Sequence, residues 1–248
     1  MGRAVVRLAT EQGLEIVCAI GAADEGRDAG ELAGVGAIGV VVTSDLAAVA
    51  ACGADVAIDF SSAELVSQLA PVCAAAGIAV VCGTTGLDAE AQLAMQGASA
   101  DVAVLWEPNM SVGVHVLAML LQKAIASLGA GFDVEIVETH HRHKVDAPSG
   151  TARKLALAAK AARGDKDAFV SGREGKPGRR PEREIGVFAM RGGDVIGDHQ
   201  VHLLGAGERL ELTHRATSRD LFAQGAIRAA LWMAGRPAGE YGLGDVVG

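Results

Sequence analysis

Short runs of Val, Ile and Ala alternate with longer amphipathic stretches over the first hundred residues, and the two periods separate strands from helices. Ala4 to Ala9 reads as a helix that stops near Gly13, and Leu14–Ile20 as a strand followed by a Gly- and Asp-rich loop through Gly36. Val40–Val42 is a short strand, Ser44 or Asp45 caps a short helix, and Val56–Phe60 is a third strand. Ser61 or Ser62 starts a helix to about Ala76, which Pro71 is expected to bend. Ile78–Cys82 is the next strand and ends in Gly83-Thr84-Thr85-Gly86. Asp88 then caps a helix to about Gly97, before a strand at Val102–Trp106. Strands this rich in β-branched residues, separated by helices, predict parallel βαβ units buried on both faces. Ligands in such sheets sit at the C-terminal ends of strands, which singles out the loop after Ile20, Gly83–Gly86 and Glu107–Met110.

The pattern changes after Pro108. A long helix runs from Ser111 to about Leu128. Val134, Ile136 and Val137 form a short strand that delivers a run of histidines, and Thr151–Arg163 is a helix. Ile185–Met190, His199–Leu204 and Arg209–Arg215 are consecutive strands with Gly-containing turns, which predicts an antiparallel or mixed sheet and hence a second domain. Residues 171–184 read as a mobile loop. The final helix, Leu221–Ala234, is expected to pack back on the first domain. The fold class is therefore α/β, with domains over 1–108 plus 218–248 and over 109–217.

Composition sharpens this picture. Of 248 residues half are hydrophobic, 33 are Gly and few are aromatic, as in α/β proteins. The net charge of −8 argues against nucleic-acid or anionic-membrane partners. Cys18, Cys52, Cys73 and Cys82 show no C-x-x-C pair and read as free thiols of a reducing cytoplasm. No apolar run reaches the length of a membrane span.

Against that acidic background, His140-His141-Arg142-His143-Lys144 stands out. Such a run often simply faces water, but this one follows a strand and precedes a helix start at Ser149-Gly150-Thr151. A Ser N-cap serves its own helix in most cases, yet beside a basic run its N–H groups suit a carboxylate or phosphate. Histidine exchanges protons near neutral pH, and Lys144 supplies charge. Zinc is disfavoured because no acidic or Cys ligand set accompanies the histidines, and His199 and His202 fall on opposite faces of a strand. Gly83-Thr84-Thr85-Gly86 is as compatible with a plain turn as with a ligand. No G-x-G-x-x-G follows a strand.

Together, E-T-H-H-R-H-K-V-D-A-P-S-G-T (138–151), V-C-G-T-T-G (81–86), N-M-S-V-G-V (109–114) and R-G-G-D-V-I-G-D-H (191–199) resemble the dihydrodipicolinate reductase family of the lysine and diaminopimelate pathway. The resemblance implies a Rossmann-type parallel-sheet domain holding NADH or NADPH. It also implies an α+β domain that binds a dicarboxylate and builds a homotetramer through its sheet. It makes His140 the proton donor, with Lys144 able to share that role. His141 and Lys144 bind or polarise the substrate carboxylates, and Ser149, Gly150 and Thr151 hold the second one. Gly83, Thr84 and Thr85, with Glu107, Pro108, Asn109 and Met110, line the nicotinamide side; Gly2 and Arg3 belong to the coenzyme turn.

Two departures accompany the resemblance. The family opens with a strand and a glycine-rich turn, of which only Met1-Gly2-Arg3 remains, so both neighbours of that strand are expected to carry unpaired backbone groups and the native chain to be about a dozen residues longer. After the second strand stands Gly21-Ala22-Ala23, leaving Asp24 or Glu25 to read the adenosine ribose. The rival reading is a non-catalytic anion-binding homologue that has lost dinucleotide binding.

Overall fold

A computed structural model describes residues 1–164 and 166–248 and divides them into two units: Met1–Val112 with Asp220–Gly248, and Gly113–Arg219. In the first unit, α1 (Gly2–Glu11) precedes β1 (Ala19–Ile20), α2 (Ala29–Ala33), β2 (Val42–Thr43) and α3 (Ala47–Ala51). Then come β3 (Val56–Asp59), α4 (Ala63–Ala76), β4 (Ala79–Cys82), α5 (Ala89–Ala98) and β5 (Ala103–Trp106). Ser62 and Asp88 cap α4 and α5 with their side-chain oxygens, and Pro71 is accommodated inside a continuous α4.

The strand expected over Leu14–Ile20 is corrected to two residues. Only Ala19 and Ile20 find ladder partners, opposite Val42 and Thr43, and a strand lasts only as long as its pairing. The loop from Gly21 to Gly36 contains α2, whose N-cap Asp28 accepts backbone hydrogen bonds from Gly30, Glu31, Ile38 and Gly39.

In the second unit, α6 (Val112–Leu128, its first residue at the boundary) leads to β6 (Asp133–His140), α7 (Gly150–Ala162), β7 (Ala168–Val170), β8 (Glu184–Arg191), β9 (Gly197–Leu204) and β10 (Arg209–Ala216). The sheet order is β10-β9-β6-β8-β7; β6 pairs parallel with β8 and antiparallel with β9, so the sheet is mixed. Leu117, Leu121 and Ile125 of α6 and Leu155 and Ala159 of α7 share one core with Val134, Ile136, Ile185, Val201 and Leu203. Each fully buried Leu or Ile of this kind contributes roughly 1.5–3 kcal/mol. In the 171–184 stretch, expected to be mobile, Arg173 pairs with Glu135 and Glu184, and Arg180 with Asp133 and Glu135.

The chain then returns to the first unit with α8 (Asp220–Met233), β11 (Gly239–Tyr241) and α9 (Leu243–Val247). Here β11, β5, β4 and β3 form a parallel four-stranded sheet, whereas β1 and β2 form a separate parallel pair. Strand β4, paired on both sides, is wholly buried; β3, paired on one side, is mostly half-buried.

Candidate active site

The second unit builds its site on the central strand. Burial alternates along β6, so Val134, Ile136, Glu138 and His140 share the inward face. Two apolar residues thus give way to two polar ones where the strand ends. Glu138 is completely buried, a position no carboxylate occupies without partners. One oxygen, Oε2, lies 2.5 Å from His140 Nδ1 and accepts from Arg191 at 2.8 Å. The other, Oε1, accepts from the Ser149 backbone N–H at 3.0 Å and from Arg191 at 2.8 Å. Burial opposes ionisation of Glu138, but the hydrogen bonds from Arg191, His140 and Ser149 outweigh it and hold the carboxyl below the usual range. Arg191 is itself anchored on the carbonyls of Met190 and Asp146.

His140 is nearly buried, with its ring edge-on to His199 at 5.3 Å between centroids. Gly197 leaves space at its outer nitrogen: a Cβ there would stand 3.0 Å from Nε2. Burial, followed by the charge on His140, pushes His199 down to about 4, so it stays neutral and its Nε2 lies 3.3 Å from Ser149 Oγ.

Ser149 caps α7, its Oγ accepting from Ala152 N at 3.1 Å. Its amide is thus committed to Glu138, while its hydroxyl, an acceptor for Ala152 N, sits beside His199. Gly150 and Thr151 form the first turn of a 13-residue helix, where the amide dipoles favour an anion. Lys144 Nζ lies 2.7 Å from Asp146 Oδ1. His141 joins a concavity lined by His143, Gly193, Asp194, Ile196 and Arg219, and its buried Nδ1 has no hydrogen-bond partner. Desolvation, then Arg219 and the neighbouring histidines, lowers its pKa. His140, His141, Lys144 and the α7 start thus lie along one short stretch at the end of β6.

The first unit carries a second set. Gly83 begins the loop after β4 and lies against Phe60, where a Cβ would come within 2.2 Å of the ring, so no other residue fits without displacing it. Thr84 is buried; its hydroxyl donates to Asp59 at 2.5 Å and accepts from Ser61 N at 2.8 Å, while Trp106 donates to its carbonyl at 2.9 Å. Thr84 therefore braces the loop, and Thr85 is the exposed residue of the pair. Glu107 donates its backbone N–H to Cys82 O, Pro108 is exposed, and Asn109 accepts from Ser111 N at 2.9 Å. Met110 is core, its carbonyl packed against Gly225 and its side chain in one cluster with Leu105 and Ala226. Gly2 opens α1, whose N-cap Met1 supplies no side-chain cap, and Arg3 pairs with Asp24 at 2.6 Å.

Residue-by-residue reading did not find Glu138, Arg191, His199, Arg219 or Asp59. Glu138 had a legible signal, since it continues the two-residue phase of Val134 and Ile136. Arg191 and His199 lie 53 and 59 residues along the chain from Glu138 and His140, and the β6–β8 and β6–β9 pairings bring them there.

Comparison with known proteins gives concordant results. The dihydrodipicolinate reductase N-terminus family profile matches residues 1–110, and its C-terminus counterpart matches 113–247. A 4-hydroxy-tetrahydrodipicolinate reductase of Anaeromyxobacter sp. (strain Fw109-5) is 50% identical over 252 residues, covering 100% of this chain and 94% of its own length. The protein of that name from Myxococcus xanthus is 48% identical, with the same coverage. Among solved structures, the dipicolinate-bound dihydrodipicolinate reductase of Paenisporosarcina sp. TG-14 superposes with a TM-score of 0.76 at 24% identity, covering 97% of this chain and 92% of its own.

Proposed function

The chain belongs to the dihydrodipicolinate reductase family, and on that premise we propose its activity and the part each residue takes. It is a nicotinamide-dependent oxidoreductase that reduces a dihydrodipicolinate-type cyclic dicarboxylate to tetrahydrodipicolinate, in lysine and diaminopimelate biosynthesis. The observation that carries the reading for this chain is the buried His140, its Nδ1 held by Glu138 and its Nε2 side kept open by Gly197.

The coenzyme's nicotinamide end fits the first unit's loops after β4 and β5, where Gly83 seats the turn against Phe60 and Thr85, Glu107, Pro108 and Asn109 are at least partly accessible. The uncapped first turn of α1, at Gly2 and Arg3, suits a phosphate. When bound, the coenzyme supplies the hydride. It is NADH or NADPH: Asp24 is engaged by Arg3 and Arg27, and Glu25 by Ser44, so neither acidic side chain points to one ribose form.

The chain's own residues do the rest. Lys144 and His141 attract one carboxylate and the α7 start, at Gly150 and Thr151, receives the other, with Ser149 supporting that turn from behind. His140 delivers the proton that completes the reduction, and Lys144 is close enough in sequence to share in polarising the ring. The protein acts in the cytoplasm as a homotetramer. Free thiols at all four cysteines and exposed Met190 and Leu210 on the second unit's sheet support those two statements. No helix among the described residues is long and apolar enough to cross a membrane.

The test is an assay of coenzyme oxidation driven by the dicarboxylate. Wild type is expected to turn over, and His140→Gln to lose kcat by on the order of a hundred- to ten-thousandfold, the contribution of a positioned acid. An unchanged kcat in the variant overturns the role of His140; no turnover by wild type with either coenzyme overturns the activity.

A further inference from the structure

We infer that Glu138, clamped by Arg191, is a positioning residue that ties the proton donor to the carboxylate-binding helix start, one oxygen serving each. The inference rests on the reductase reading above for its kinetic consequence, but its geometry stands without it. Oε2 takes the Nδ1 side of His140 at 2.5 Å, and Oε1 takes the Ser149 N–H, at the N-cap of α7, at 3.0 Å. Arg191 reaches both oxygens at 2.8 Å, so the carboxylate cannot rotate to favour one client over the other.

Two consequences follow. With Nδ1–H donated to Glu138, neutral His140 is held in the tautomer that leaves Nε2 as the exchanging nitrogen, and Nε2 faces the space left by Gly197. With the Ser149 amide also donated, the N-cap is fixed relative to the ring of His140, and the neutral His199 closes the arrangement through Ser149 Oγ. Proton delivery and carboxylate capture thereby share one rigid reference point. A merely structural buried ion pair would need the charge match between Glu138 and Arg191 but not the division of the two oxygens between His140 and Ser149.

Glu138→Gln discriminates, because an amide of the same shape has one acceptor where two are used. Either the Ser149 N–H loses its acceptor, or the His140 link reverses, the amide N–H donating to Nδ1 and the ring becoming Nε2–H. The expected result is a kcat lowered by on the order of a hundredfold or more, or a dicarboxylate KM raised by on the order of tenfold or more, as when a residue orienting a catalytic imidazole is lost. The dissociation constant for the coenzyme should not move. In parallel, ring nitrogen NMR of uncomplexed protein at neutral to alkaline pH is expected to show His140 as the Nδ1–H tautomer in wild type, shifting toward Nε2–H in Glu138→Gln. Where the single variant fails to fold, Glu138→Gln with Arg191→Met removes the unpaired charge and carries the same expectations.

Wild-type His140 in the Nε2–H tautomer overturns the inference, as does a folded variant with unchanged tautomer, kcat and dicarboxylate KM. The tautomer is read without turnover, so an inactive wild type would defeat the reductase reading and leave this result decisive on its own.

Discussion

At the scale of single residues, the site depends on polar groups buried where the strand pattern calls for apolar ones. His199 shows the thermodynamic cost. Burial, then the charges of His140, His214 and Lys144 against the opposing pull of Glu138, depress it from 6.5 to about 4. A histidine that protonates more readily unfolded than folded favours the folded state above its unfolded pKa, and that contribution is lost as pH falls from about 6.5 to about 4. The size is at most about 3 kcal/mol. Denaturant titrations across that window are expected to show wild type losing stability steeply and His199→Gln losing it less; parallel curves would show that His199 is not buried neutral. The basic run and the N-cap Ser149 were legible in the sequence as types of residue. The Glu138 link between them was not, because that carboxylate receives its arginine from β8 and its histidine neighbour from β9.

At the scale of elements, predicted strands held where apolar residues run without interruption and pair on both sides, as in β4. Leu14 to Cys18 has equal β propensity and forms no ladder, since strand formation needs a partner as well as a pattern. The three-residue strands β7 and β11 are too short for a period to register. The first unit's sheet is consequently in two pieces, and β1 and β3 each pair on one side alone among the described residues. Ile16 and Ile58 nevertheless line one apolar cluster with Val5, Leu8 and Ile227, and Arg3 brings the start of α1 to Asp24 beyond β1. Adding one strand and a turn, about a dozen residues, ahead of Met1 is expected to raise the melting temperature and slow amide exchange at Ala19–Ile20 and Val56–Asp59. Unchanged exchange at those amides would show that their edges do not accept a strand.

At the scale of the whole molecule, two cores divide the work. The first unit carries α1 and the Gly83–Gly86 loop beside parallel strands, and the second carries His140 and the α7 start, the proposed acid and anion site, beside a mixed sheet. The change of pattern after Pro108 led to expected domains of 1–108 with 218–248 and of 109–217, and the two compact units are Met1–Val112 with Asp220–Gly248 and Gly113–Arg219. What pattern could not supply was the long-range pairing that makes β6 the central strand. The proposed reaction is direct hydride transfer from a nicotinamide to the cyclic dicarboxylate. The most direct measurement supplies NADH or NADPH deuterated at the transferring carbon and weighs the product by mass spectrometry. Direct transfer gives a product heavier by a single deuterium, formed in step with coenzyme oxidation. Coenzyme oxidation without deuterium in the product, or no reduced product from either coenzyme, would contradict it.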